Sequence, residues 1–330
     1  MKLLVIDSGT TNSRVRLIKE DRVIAAIHRS VGSKDVAVTG DKEVLEQALQ
    51  EAILEVVENN GVSLHDIEAI IASGMITSNI GLTEIPHLSA PVGIDEVAAA
   101  MVSRSFPAIV DKPILFIPGV KTGFMGEAGL SQKDMMRGEE AEIFGYLSYL
   151  GQAAHEPVLF MHYGSHHKGI LLGGGKILRC ATSITGELMM AILQGTILKS
   201  SLIAPAEMEL RLEDVRTGLA IAEQSGFGRA LFSSRVMQVM DGRDKQEATG
   251  LFLGALLSLD LAMLSDLLTA ETKQVVFYGK PLFPTIFQPI VQERYPHLKV
   301  TIISEELSDE LSAKGAAFLY QKYKEGKVYE

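Results

Sequence analysis

Cysteine is nearly absent from this chain. Cys180 stands alone, so no internal disulfide can staple the fold, and a reducing cytoplasmic setting is expected. An excess of basic charge is lacking too. Lys and Arg number 31 against 41 Asp and Glu, a net charge of −10. That balance argues against nucleic acid or an anionic membrane surface as a main partner. Long unbroken apolar runs are also missing. The opening run stops after four residues at Asp7, so no secretory signal is expected. The most apolar long segment, Gly250–Leu268, carries Asp260 and Asp266. It reads as a buried core helix and not as a membrane span. What is present is 330 residues, 47% of them hydrophobic and 22% charged. That is enough for about two well-packed domains.

The organising stretch is Leu3–Arg16, LLVIDSGTTNSRVR. Leu3–Ile6 reads as a strand buried on both faces, and Asp7 ends it. A turn of small and hydroxylated residues follows: Ser8, Gly9, Thr10, Thr11, Asn12 and Ser13. Gly9 permits a close backbone approach. Successive N–H groups in such a turn form a concave anion site. An acid beside a phosphate site is repulsive unless a cation lies between, so Asp7 points to bound Mg²⁺. Taken alone, the turn reads equally well as an ordinary polar hairpin.

Val15–Ile18 and Val23–His28 continue a meander. Lys42–Asn59 has the three-and-four apolar spacing of an amphipathic helix, and Ile67–Ala72 reads as a buried strand. Strand, helix, strand implies a parallel pair with a right-handed crossover. Ligands of open α/β sheets bind beyond the carboxyl ends of strands. Met75, Ser78 and Asn79 in the following SGMITSNIG block therefore line a pocket or form a plain polar loop. Lys121–Lys133, with Gly123, Gly126 and Gly129, reads as a mobile loop. In DMMRGEEAEIFG, Arg137 lies beside Glu139 and Glu140 at a helix start. The acids either complement the helix dipole or supply a proton acceptor, with Asp134 a rival. Arg137 suits a substrate carboxylate.

From Pro157 the opening design recurs. Val158–Met161 leads to the turn Gly164-Ser165, and two more strands follow, separated by Gly173–Gly175. The turn glycines Gly9 and Gly164 are offset by 155 residues. Such duplication implies two similar α/β domains, each with a phosphate turn, on either side of an interdomain cleft. His162 stands where the first copy has Asp7, and Lys168 offers a phosphate-pairing cation. His162, His166 and His167 are poorly spaced for one metal ion. Thr182–Leu188 opens a helix. Val275–Tyr278 enters Gly279-Lys280-Pro281, a turn suited to a flat base. Ser308–Lys322 is a final helix able to return to the first domain.

Together these residues resemble the 2-dehydro-3-deoxygalactonokinase family of the sugar-kinase, actin and heat-shock ATPase superfamily. The carriers are DSGTTNSR (Asp7–Arg14), SGMITSNIG, IPG (Ile117–Gly119), MRGEE (Met136–Glu140), GSHHK (Gly164–Lys168), TGEL (Thr185–Leu188) and GLFLGA (Gly250–Ala255). The second turn departs from the family's usual Pro-Gly-Thr-His-Ser/Cys-Lys-Trp: Tyr163 and Gly169 stand at its ends, and the chain has no tryptophan. The late nucleotide turn, Tyr278-Gly279-Lys280, also departs from the usual small-residue pair.

The resemblance implies duplicated ribonuclease H-like (actin-like ATPase) domains, 1–154 on the substrate side and 155–307 on the nucleotide side, with helix 308–330 rejoining the first. It implies transfer of the ATP γ-phosphoryl group to the C6 hydroxyl of 2-dehydro-3-deoxy-D-galactonate, a sugar acid, in galactonate catabolism. Under it Asp7 holds Mg²⁺. Ser8, Gly9, Thr10, Thr11, Asn12, Gly164, Ser165, His166, Lys168 and Gly279 bind the nucleotide. Met75, Ser78, Asn79 and Arg137 bind the sugar acid, and Glu139 is the base, with Glu140 its rival. Domain closure would exclude water. A homodimer is compatible with the sequence. The alternatives are a kinase of another sugar acid and a non-catalytic ATP-binding regulator of the same fold.

Overall fold

Leu3, Leu4, Val5 and Ile6 are all fully buried, each contributing about 1.5–3 kcal/mol by leaving water. They form the middle of the first sheet in a computed structural model that describes residues 1–123, 129–150, 156–204, 207, 209 and 211–328. The chain divides into two compact units. Unit 1 is Met1–His155, Gly173–Leu178 and Glu306–Glu330; unit 2 is Glu156–Leu172 and Arg179–Glu305.

In unit 1, β1 (Lys2–Ser8) pairs antiparallel with β2 (Ser13–Lys19), and β2 with β3 (Arg22–Arg29). Glu20 and Asp21 both have positive φ, as the twist of a tight hairpin requires. A short helix α1 (Ser33–Thr39) precedes α2 (Glu43–Glu58). The apolar stripe of α2, including Leu45, Leu49, Ile53 and Val56, is buried in the unit's core, which is why the spacing holds as a helix. The chain then enters β4 (Ala69–Gly74), parallel to β1. Next come β5 (Leu88–Ser89), β6 (Val92–Gly93), α3 (Ile94–Ala99), β7 (Val102–Phe106) and β8 (Val110–Phe116). The six-stranded sheet runs β3-β2-β1-β4-β8-β7. β9 (Val120–Thr122) and β10 (Asp134–Met136) join β5 in a small sheet, and α4 (Glu139–Leu150) follows. Of the glycine-rich Lys121–Lys133 segment, residues 124–128, with Gly126, lie outside the described residues. Its flanks are a positive-φ Gly123 and a 3₁₀ turn, Leu130–Gln132.

Unit 2 repeats the plan. β11 (Val158–Tyr163) pairs antiparallel with β12 (His167–Gly173), which neighbours β13 (Lys176–Ser183). Helices α5 (Thr185–Gly195), α6 (Leu212–Ser225), α7 (Phe227–Met240) and α8 (Lys245–Leu267) precede β14 (Gln274–Gly279). β14 is parallel to β11. After α9 (Leu282–Arg294), β15 (Lys299–Ile302) pairs parallel with β14. The order β13-β12-β11-β14-β15 copies β3-β2-β1-β4-β8 strand for strand. The long apolar helix α8 is apolar enough to cross a membrane by composition. In this fold 72% of its apolar window is buried, and Phe252, Leu256 and Leu264 stand in the unit's core. The last helix, α10 (Glu305–Val328), clusters with unit 1 from Glu306 onward.

Candidate active site

In unit 1 the end of β1 carries Asp7 into the turn. The Gly9 N–H donates to the Asn12 carbonyl at 2.9 Å. Ser13 Oγ donates to the Val31 carbonyl at 2.7 Å, so the Ser8 hydroxyl donates to Ser13 Oγ at 2.8 Å. Thr10, Thr11 and Asn12 stay exposed. The turn is braced from behind by the start of α1: Ser33 N–H donates to the Gly9 carbonyl and Lys34 N–H to the Thr10 carbonyl. At the end of β4, Gly74 has φ +92, and a Cβ there would lie 2.5 Å from the Ser8 carbonyl oxygen and 3.5 Å from Asp7 Oδ1. A side chain at this position would collide with the strand that carries Asp7. Gly138 comes next: its Cβ position is 3.3 Å from the Gly74 Cα. The MRGEE segment therefore lies beside Asp7 through two glycines.

Asp7 has buried support. Arg16, 4% exposed, comes within 3.6 Å of Asp7 Oδ2. Its Nη1 donates to Ser312 Oγ at 3.1 Å and its Nη2 to the Asp309 carbonyl at 2.7 Å. Ser312 in turn donates to Asp7 Oδ2 at 3.3 Å. Both Asp309 and Ser312 belong to α10. Among the described residues no group of three or more His, Cys, Asp or Glu side chains converges. A cation here would take one protein carboxylate, with water and phosphate oxygens completing its shell. That donor set suits Mg²⁺, which keeps waters and takes one or two carboxylates.

Arg137 is organised by its own unit. Nη1 donates to Thr77 Oγ1 at 2.7 Å, and Nη2 donates to the Ile85 carbonyl at 2.8 Å and to His87 Nδ1 at 3.3 Å. Burial, then the charges of Arg137 and Lys121, hold the His87 imidazole down at about 4, so it is neutral and accepts from Arg137. These contacts occupy three of a guanidinium's five donors. Met75 and Asn79 flank this region, Asn79 exposed; Ser78 is buried and donates to the Met75 carbonyl at 2.7 Å.

Glu140 is fully buried, and both its oxygens accept the Gly138 N–H, at 2.9 and 2.8 Å. Burial, and then the adjacent Glu139 charge, push its carboxyl up to about 8. Glu139 is half-buried. An acid raised above its unfolded value binds its proton more tightly when folded. Its contribution is full below the unfolded value near 4.5 and is lost as pH rises toward 8. Glu140→Gln is expected to flatten the fall of Tm between those limits. Parallel melting profiles for the variant and the parent protein would contradict this.

Unit 2 builds its turn with the same devices. Gly279, at the end of β14, has φ +98, and its Cβ would lie 2.5 Å from the Tyr163 carbonyl oxygen. Gly186, in the first turn of α5, would press a Cβ to 2.5 Å from the Gly164 carbonyl and 2.8 Å from that of Ser165. The Glu187 N–H donates to the Ser165 carbonyl at 2.8 Å. Gly279 thus matches Gly74, and α5 braces this turn as α1 braces the other. His166 Nε2 donates to Glu187 Oε2 at 2.9 Å on the surface. Lys168 is buried and donates to Thr182 Oγ1 at 2.7 Å. His162, opposite Lys168 in the ladder, is held down at about 3 by burial and then by the nearby charges of His167, Lys168 and Lys280. It is a neutral group where unit 1 has the Asp7 carboxylate.

A family profile described as 2-keto-3-deoxy-galactonokinase matches residues 7–311. The chain belongs to this family. The match begins at Asp7 and spans both turns. Two curated proteins are similar. One, from Rhizobium meliloti (strain 1021), provisionally named a 2-dehydro-3-deoxygalactonokinase, is 28% identical over 261 residues, 78% of either chain. The other, the Escherichia coli (strain K12) 2-dehydro-3-deoxygalactonokinase, is 23% identical over 270 residues, 80% of this chain and 81% of that one. A crystal structure of a Sinorhizobium meliloti protein, provisionally assigned the same way, superposes with TM-score 0.76 at 22% identity, covering 97% of this chain and 98% of that one. The activator of 2-hydroxyisocaproyl-CoA dehydratase from Clostridium difficile, solved with bound ADPNP, shares the fold with TM-score 0.52 at 12% identity, covering 100% and 98%.

Within this kinase family fold, the sequence reading missed the residues that support the turns. Gly74 and Gly138 lie inside SGMITSNIG and MRGEE and Arg16 ends the opening stretch, with no signal for this role, Ser312 lies outside every motif, and Thr77 and His87, which hold Arg137, carry no such signal either. Arg16 is the exception in principle: a charge at an inward position of a two-sided buried strand signals a partner.

Proposed function

We propose that this chain phosphorylates the C6 hydroxyl of 2-dehydro-3-deoxy-D-galactonate with ATP. The carrying observation is the family match across residues 7–311, over a chain whose two hairpin turns are built and braced alike. Phosphoryl transfer asks mainly for positioning and charge stabilisation. In this reading the backbone of Ser8–Asn12 in unit 1 and of Gly164–His166 in unit 2 donates to phosphate oxygens, with Lys168 and Gly279 supporting the second turn. Asp7 holds Mg²⁺, which neutralises phosphate charge when bound. Glu139 accepts the C6 proton. Arg137 pairs with the substrate carboxylate through the donors that Thr77, Ile85 and His87 leave over, while Met75, Ser78 and Asn79 face the sugar chain.

A coupled ADP-release assay over a panel of 2-keto-3-deoxy sugar acids tests this reading. ADP production should depend on the sugar acid and be fastest with the galactonate-derived compound. Preference for another epimer would reassign the substrate. ADP release indifferent to every sugar acid would leave ATP hydrolysis without a sugar acceptor, and no ADP release with any of them would leave a non-catalytic ATP-binding role. Arg137→Ala is expected to raise KM for the acid more than for its neutral analogue; equal rises would show that Arg137 only organises the Thr77–His87 segment.

A further inference from the structure

Unit 2 holds a buried charge cluster beside its first hairpin turn. Asp260, in the middle of the core helix α8, is fully buried. His167 Nδ1 donates to its Oδ2 at 2.8 Å, and both side chains are 0% exposed. The Thr185 hydroxyl donates to Oδ1 at 3.0 Å. Ser183 Oγ, 2.6 Å from Thr185 Oγ1, therefore donates to it. The His167 ring is enclosed edge-on by Tyr163 and Phe283, at centroid distances of 4.9 and 4.5 Å.

Three elements meet on this one carboxylate. His167 directly follows the turn residue His166. Thr185 opens α5 and directly precedes Gly186, which abuts the Gly164 and Ser165 carbonyls. The third element is α8 itself. In unit 1 the position 155 residues earlier than His167 is Asn12, exposed, with its side chain donating to the adjacent Thr11 Oγ1. Burying an ionised group is costly even when it is well paired. Apolar residues of similar volume often stabilise as well or better, so such clusters are better explained by the geometry they impose.

We propose that Asp260, through His167 and Thr185, is a positioning residue that sets the Gly164–His166 turn against α5 for the phosphates of ATP. This rests on the reading of that turn as a phosphate site. Asp260 itself touches no ligand. Its carboxylate orients the imidazole after the turn and the hydroxyl at the helix start, and the two fix the turn from both sides.

The test uses the full chain and measures AMPPNP affinity by calorimetry, with KM for ATP and for the sugar acid, and Tm. Thr185→Val removes one bond to Asp260 at constant shape. It should weaken AMPPNP binding and raise the KM for ATP roughly tenfold, as loss of a bond to a charged group would, while the KM for the sugar acid stays put. Thr185→Ser, which keeps the hydroxyl, should restore affinity. Asp260→Asn should act in the same direction as Thr185→Val and more strongly; if it fails to fold, Thr185→Val decides. Gly186→Ala drives a methyl into the turn irrespective of Asp260. If Gly186→Ala leaves AMPPNP affinity unchanged, the turn is not the phosphate site and the functional reading fails. If Gly186→Ala weakens binding and Thr185→Val lowers only Tm, the positioning role of Asp260 is overturned while the phosphate turn stands.

Discussion

Asp7→Asn is expected to cut kcat by roughly 10²–10³, the usual cost of losing one group that organises charge in a transition state, with the fold retained. Asp7 ends the central strand of unit 1, and its environment explains the expectation. Arg16 and Ser312 hold one carboxylate oxygen in place, and the Asp309 carbonyl of α10 accepts from Arg16 in turn. The neighbouring Gly74 leaves room beside the other. Asn keeps the shape and loses the charge. Arg16 loses its ion-pair partner but keeps its bonds to Ser312 and to the Asp309 carbonyl, so a lowered Tm short of unfolding accompanies the loss of kcat. Thermal melting and steady-state kinetics on the same preparation separate the outcomes. An unchanged kcat would remove Asp7 from the chemistry. A collapsed Tm would make it structural.

Glu139→Gln carries the second large effect, a loss of about 10²–10⁴ in kcat, the range for a positioned general base. The choice between the adjacent acids follows from their surroundings. Glu140 is sealed in the core, caps the Gly138 N–H and keeps its proton up to about pH 8. A protonated carboxyl cannot accept the hydroxyl proton at neutral pH. Glu139 precedes it as the first residue of α4 and is half-buried, not sealed in the core. Glu140→Gln should therefore lose less than Glu139→Gln. The reverse order would move the base to Glu140. Equal small losses would leave Asp134 as the rival to examine.

Much of the fold was legible because period and punctuation agreed. Leu3–Ile6 and Val158–Met161 are apolar runs ended by small polar turns, and α2 shows its buried stripe at helical spacing. The duplication seen in the two turns reappears as the same five-strand order in each unit. What stayed hidden depends on the third dimension. The short helix α1 and the strand β7 are too brief and too exposed to impose a period. The two-residue strand β5 exists only through its pairing with β9. At the site, the motifs located the turns, but the braces behind them were invisible. Gly74 and Gly279 matter because a strand carbonyl lies where a Cβ would be, and Arg16 because α10, nearly three hundred residues later, supplies its partners. Asp260 interrupts an apolar helix in the sequence, and only the fold brings His167 and Thr185 onto its two oxygens.

The most direct measurement of the central claim is the chemical fate of the γ-phosphorus. Incubation with ATP, Mg²⁺ and 2-dehydro-3-deoxy-D-galactonate, followed by phosphorus–proton correlation NMR of the product, should show the new phosphate coupled to the C6 methylene protons. Release of inorganic phosphate alone, with the sugar acid recovered unmodified, would contradict the account.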